Sequence, residues 1–215
     1  MIAILDYGSG NLRSAERAFA TTGQEVVLTS DPAIALEADG LVVPGVGAFS
    51  SCMNGINAIN GGSIVQERVA KERPVLGICI GMQILFTHGT EGIEGIEGTE
   101  GKLGSENSKA KPHVGIGLFE GVVDRLNAPI LPHMGWNTVE ADPKSILLKG
   151  IENQSFYFVH SYAAKQPAGK VQSWSFHGER FLSVVEDEYV SATQFHPEKS
   201  GTAGLALIKN WVGSL

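Results

Sequence analysis

Apolar residues in the first third of the chain come in short, nearly unbroken runs, and those at residues 2–7, 25–30, 40–43 and 74–79 read as strands. Strands that are apolar on both faces belong inside a parallel sheet covered on both sides. Helical patterns separate them. Residues 12–22 form one, and Asp31 caps a second, shorter one that opens with Pro32, where the fixed φ and missing N–H of proline are harmless. The alternation predicts an α/β fold: a doubly wound, mostly parallel central sheet, flavodoxin-like, with helices on both faces and right-handed crossovers.

Beyond residue 113 the pattern changes. Residues 114–126, 133–140, 156–161, 171–176, 181–186 and 189–195 are strand-like, and Asn127, Pro129, Pro143, Pro167, Gly169 and Gly178 punctuate them. They predict antiparallel strand additions to the same sheet, so that residues 1–215 make one domain, closed by a helix over 202–212. One stretch fits neither pattern. Gly89, Gly92, Gly95, Gly98, Gly101 and Gly104 recur every third residue without an intervening proline. The period resembles collagen, but so short a tract lacking proline reads as an acidic, glycine-rich surface loop.

Composition narrows the class. A net charge of −7 with no basic stripe argues against nucleic acid as a partner. Cys52 and Cys79 are the two cysteines, too few for a disulfide framework and suited to a reducing compartment. The start lacks a basic stretch ahead of its apolar residues and meets Asp6 at once, and no apolar run is long enough to cross a bilayer. A cytoplasmic protein without membrane contact is expected. His88, His113 and His177 show no ligand spacing, so no metal site is expected. Trp174 and Trp211 read as packing residues and Cys52 as a small hydrophobe.

Candidate chemistry centres on Cys79. It sits in Gly77-Ile78-Cys79-Ile80-Gly81, directly after an apolar strand. That spacing is a nucleophile elbow, a sharp strand-to-helix turn that lifts the side chain above the sheet edge, where the helix start favours a thiolate. The same residues also suit a buried core cysteine. A cysteine nucleophile needs a base and the base an orienter. His196 has the best context of the six histidines. Pro197 keeps it extended, and residues two apart in extended chain share a side, which brings Glu198 to its ring. A capping histidine beside a solvated glutamate fits the same residues. Acyl chemistry further needs donors for an oxyanion. Pro44-Gly45-Val46-Gly47 follows the third strand and lets a backbone N–H turn inward, while Ile80 offers the amide just after the nucleophile. An ordinary glycine-rich turn is the plainer reading of that run.

Taken together, these motifs resemble the class I (triad-type) glutamine amidotransferases, from the amino terminus to the last helix. Further marks of the resemblance are the run from Asp6 to Leu12, Met82-Gln83 after the elbow, Pro132-His133-Met134-Gly135-Trp136-Asn137, Tyr157-Phe158-Val159-His160-Ser161-Tyr162 and the run from Gln194 to Gly201. The resemblance implies a Cys79, His196 and Glu198 triad, an oxyanion hole from Val46, Gly47 and Ile80, and L-glutamine as substrate. It implies that Gln83 and the backbone of His160, Ser161 and Tyr162 hold the amino-acid end of glutamine. It implies no cofactor. Asn11, Met134, Trp136, Asn137 and Lys199 match positions facing a partner, a barrel-shaped cyclase subunit that receives the ammonia. The sequence departs from the pattern at Ile80, where leucine is usual, and in the length of the glycine tract.

Overall fold

The computed structural model describes residues 1–92 and 111–215. Most of the glycine tract therefore lies outside the described residues. In chain order the elements are β1 (Ile2–Leu5), α1 (Leu12–Ala20), β2 (Val26–Thr29), α2 (Pro32–Glu37), β3 (Gly40–Gly45), α3 (Phe49–Ala58), α4 (Gly61–Ala70), β4 (Val75–Cys79), α5 (Ile80–Gln83), β5 (Phe86–Gly89), β6 (His113–Val114), β7 (Phe119–Arg125), β8 (His133–Thr138), β9 (Ser155–His160), β10 (Tyr162–Ala164), β11 (Val171–His177), β12 (Glu179–Asp187), β13 (Val190–Thr193), a 3-10 turn (Pro197–Lys199) and α6 (Gly201–Val212).

The central sheet runs β11-β12-β13-β4-β3-β1-β2. The stretch β2-β1-β3-β4-β13 is parallel throughout, the strand order of a flavodoxin-like doubly wound sheet. Every residue of β1, β3 and β4 is buried, which is why those runs carry no polar alternation. Helix α1 packs with α6, and α2 with α4, giving a helical layer on each face of the sheet. Asp31 caps α2 through the Ala33 amide at 2.8 Å, with Pro32 in the first turn, as the sequence predicts.

The later strands divide more finely than their patterning suggests. β11 and β12 do extend the central sheet antiparallel. The strand expected over 189–195 instead lies parallel to β4, with Thr193 beside Ile78. Its seat next to a fully buried strand explains its apolar character. β10-β7-β5-β6 make a separate four-stranded sheet and β8-β9 a two-stranded ribbon. The stretch 114–126 breaks at Gly115, where a Cβ would lie 2.1 Å from the Phe86 carbonyl. Gly89, expected in a loop, ends β5 against the Phe49 ring, 2.5 Å from where its Cβ would be.

Trp211 is buried and meets Phe19 edge-on at 5.8 Å. Trp174 takes the Arg180 guanidinium on its face at 4.6 Å. Arg68, on α4, is fully buried. It donates to the carbonyls of Ala35, Leu36 and Ala38 from one nitrogen, and to those of Asp39 and Pro74 from the other, at 2.8 to 3.3 Å. Burial pulls its pKa down to about 10, so it stays charged against the negative end of α2. Arg68→Met should cost about 3 kcal/mol, because the carbonyls stay buried and lose their donors. The urea unfolding midpoint measures it.

Candidate active site

β4 ends in a backbone turn at Cys79, whose φ of 56° and ψ of −111° lie where side-chain-bearing residues are strained. Three glycines make the turn possible. A Cβ on Gly81 would sit 1.8 Å from the Val43 carbonyl, one on Gly45 2.6 Å from the Gly81 amide, and one on Gly77 2.8 Å from the Gly81 carbonyl. The Gly-x-Cys-x-Gly spacing therefore records backbone lying on backbone between β3, β4 and α5. Helix α5 is one turn long, so its dipole reaches no further than that turn.

The imidazole and carboxylate arrive from the other neighbour of β4. Leaving β13, the chain is extended at His196, with φ −100° and ψ 97°, before Pro197 opens the 3-10 turn. Nδ1 of His196 lies 2.8 Å from Oε1 of Glu198, and both side chains are buried. The backbone is fixed as well: the His196 amide donates to the Tyr157 carbonyl, and the Ser200 hydroxyl donates to the His196 carbonyl. Cys79 lines the same cleft as His196, and its sulfur lies 3.8 Å from Nε2 of Gln194. Burial alone would lower the imidazole pKa, but Cys79 and Glu198 outweigh it and hold it well above the usual histidine range. The second oxygen of Glu198, Oε2, is buried without a partner.

These groups open into a cleft of about 350 Å³ lined by Val46, Gly47, Cys79, Gln83, Glu91 and His196, among others. Gln83 donates through Nε2 to the Tyr162 carbonyl at 2.8 Å and to Gln194 Oε1 at 3.1 Å. Its own Oε1 is buried with no hydrogen-bond partner. Gln194 in turn donates to the Cys79 sulfur at 3.8 Å. His160, Ser161 and Tyr162 form the facing wall, and their carbonyls are already engaged. That of Ser161 accepts from the Leu126 amide, that of Tyr162 from Gln83 and from the His160 ring.

Gln194 and Glu91 escape the sequence reading. Gln194 follows β13 directly and stands two residues before His196, in a run that is buried throughout. Glu91 falls in the glycine tract. It accepts from the Phe49 amide at 2.7 Å and lines the cleft; no local pattern marks it.

Of the oxyanion candidates, Val46, Gly47 and Ile80 all border the cleft. In this conformation the Val46 amide donates to the Ser9 hydroxyl at 3.3 Å. Gly47 has a φ of 90°, open to glycine alone. Met134 and Trp136 stand outward from β8 and are 62% and 60% exposed. Asn137 points the other way, its amide held by His133 and the Phe176 carbonyl. Asn11 precedes α1 as its N-cap, and Lys199 borders the cleft. Among the described residues no three His, Cys, Asp or Glu side chains are grouped to hold a metal, and no helix is long and apolar enough to cross a membrane.

A strained cysteine at a strand end and a buried imidazole–carboxylate pair beyond the neighbouring strand thus meet on a flavodoxin-like sheet, and the chain belongs to the class-I glutamine amidotransferase family, whose model matches residues 3–213. Over its whole length the chain is similar to imidazole glycerol phosphate synthase subunit HisH of Nocardia farcinica (strain IFM 10152), at 53% identity, covering 98% of that relative. The same-named subunit of Thermobifida fusca (strain YX) is 48% identical, again with 98% covered. Among solved structures, one described as a glutamine amidotransferase superposes with a TM-score of 0.71 at 17% identity, covering 99% of this chain and 97% of that one. PurLQS from Thermotoga maritima gives 0.65 at 16% identity, covering 99% and 97%. At those identities the structures speak for the fold alone.

Gly81→Ala should destabilise the chain by about 4 kcal/mol or more, since the new methyl meets backbone that cannot yield. Gly62→Ala, whose Cβ would find only ordinary contacts at 3.9 Å, should be neutral or slightly stabilising. Thermal midpoints of the two variants read the contrast.

Proposed function

We propose that this chain is a glutaminase that hydrolyses L-glutamine to glutamate and ammonia, and delivers the ammonia to the cyclase subunit of imidazole glycerol phosphate synthase. That subunit makes imidazole glycerol phosphate and an aminoimidazole carboxamide ribotide in histidine biosynthesis. Full-length similarity to the named subunits supports the pathway. The observation that carries the chemistry is that Cys79 and His196, the latter hydrogen-bonded to Glu198, line one cleft together with Gln83.

Cys79 as thiolate attacks the carboxamide carbon of glutamine. The raised His196 is an imidazolium, which stabilises the thiolate and then protonates the leaving nitrogen, so that ammonia departs. A γ-glutamyl thioester remains on Cys79. Water, losing its proton to neutral His196, cleaves it to glutamate and regenerates the thiolate. Glu198 holds Nδ1 as the N–H donor and leaves the other nitrogen to move protons. The Ile80 and Gly47 amides serve the developing oxyanion, joined by that of Val46 once its peptide has turned.

The Val46 amide is spent on Ser9 in this conformation. Its peptide must turn over to contribute, and binding of the cyclase at Met134, Trp136, Lys199, Asn11 and Asn137 is the event we assign to that change. The chain is then a weak glutaminase alone and a strong one in a heterodimer. At the substrate's other end, Gln83 borders the amino-acid end of glutamine, and Glu91 supplies a carboxylate for its α-ammonium.

Ammonia release from glutamine, measured with and without the cyclase subunit and its nucleotide substrate, tests the reading. Stimulation is expected, and equal rates would refute the partner's role. Cys79→Ala should lower the rate by roughly a thousandfold or more; an unchanged rate would remove Cys79 from the chemistry. Glu91→Gln should raise KM for glutamine about tenfold while leaving kcat near wild type, the pattern of a lost charge-assisted contact to bound substrate.

A further inference from the structure

Behind the cleft wall, buried polar side chains on β8 and β9 form one continuous hydrogen-bond chain. Nδ1 of His160 lies 3.0 Å from the Tyr162 carbonyl. Nε2 of the same ring lies 3.0 Å from Nδ1 of His133. Nε2 of His133 lies 3.2 Å from the Asn137 amide nitrogen. That amide has only one orientation open to it: its oxygen accepts from the Thr138 N–H at 2.8 Å, and its nitrogen also donates to the Phe176 carbonyl at 3.0 Å.

The partners fix every proton. A carbonyl only accepts, so Nδ1 of His160 carries hydrogen. Both rings are buried. Burial, and then the neighbouring imidazoles, push His160 down to about 3 and His133 down to about 4, so each is neutral and carries one hydrogen. Nε2 of His160 is therefore an acceptor, and Nδ1 of His133 must donate to it. Nε2 of His133 is left as an acceptor, which is what the Asn137 amide requires. All the donors point toward the cleft.

The rings have little freedom to depart from this. His133 is sandwiched between Phe158 at 4.9 Å and His177 at 4.2 Å, with Phe181 edge-on at 5.5 Å. At the far end the chain meets the Tyr162 carbonyl, which also takes the Gln83 amide. The same carbonyl thus fixes the Gln83 side chain, which lines the cleft.

We propose that His133 is a positioning residue for glutamine binding: through His160 and the Tyr162 carbonyl it holds the cleft wall and Gln83 in register for the amino-acid end of the substrate. The substrate assignment rests on the function proposed above. The hydrogen-bond chain itself does not.

The test has a spectroscopic and a kinetic arm. In the wild-type chain, ¹⁵N side-chain NMR near neutral pH should show His133 and His160 both neutral and both protonated at Nδ1. An Nε2–H tautomer on either ring overturns the proposal. In the glutaminase assay with the cyclase subunit present, His133→Leu should raise KM for glutamine about tenfold with kcat within about twofold, on the scale of one lost hydrogen bond. His133→Asn, whose amide nitrogen falls near the Nδ1 position, should recover most of that loss. A folded His133→Leu protein with wild-type KM, or an Asn variant no better than the Leu one, overturns it. Should the Leu variant not fold, the Asn variant and the spectrum decide, and a tenfold KM rise in the Asn variant counts against the proposal. If the wild-type chain releases no ammonia, the proposed function falls, and titrating the Nδ1 resonance of His160 with L-glutamine decides in its place. A shift supports coupling of the chain to the cleft, and none overturns it.

Discussion

The close seat of Gly81 on the Val43 carbonyl is the contact on which the rest of the site depends. It lets β4 turn sharply at its last residue and holds Cys79 in a backbone conformation that costs energy. Neighbouring strands over-determine that conformation: β3 presses on one side of β4 and β13 lies on the other. A sulfur raised by this turn stands over the carboxyl ends of three parallel strands, where doubly wound sheets bind their ligands. Everything else in the cleft is built up around that fixed point.

Around it the charges are arranged in depth. Cys79 and Glu198 flank His196 from opposite sides, and both favour its protonated form over the neutral ring that burial would impose. Two further imidazoles a short distance away are kept neutral by burial and by the neighbouring imidazoles. One fold thus holds histidines in opposite protonation states. The partner each ring faces, rather than its depth, sets the outcome.

Local sequence discloses the parallel half of the fold well, because strands buried on both faces leave a continuous apolar signature. It discloses the later strands less well. A segment such as His133 to Thr138 alternates cleanly, yet nothing within it says whether its partner is β9 or the central sheet. Helices α3 and α4 are equally obscure, since Ser50, Asn54, Gly55, Gly61 and Gly62 dilute their periodicity. Arg68 sits in a charged helical stretch that reads as solvent-facing, and only the convergence of five carbonyls makes its burial tolerable. The same division runs through the site. Cys79, His196 and Glu198 sit in short motifs whose spacing has a geometric cause. Glu91 and Ser9 gain their roles from contacts made across the fold, which no window of sequence contains.

The placement of β13 has a consequence for synthesis of the chain. The sulfur and its imidazole partner are separated by most of the polypeptide, and the strand that carries the imidazole inserts between β4 and β12. A ribosome-bound chain lacking its final segment has an elbow without a base. In the chemistry proposed above, a half-made chain would therefore leave glutamine untouched: the reactive pair comes into being only when the last strand closes the sheet.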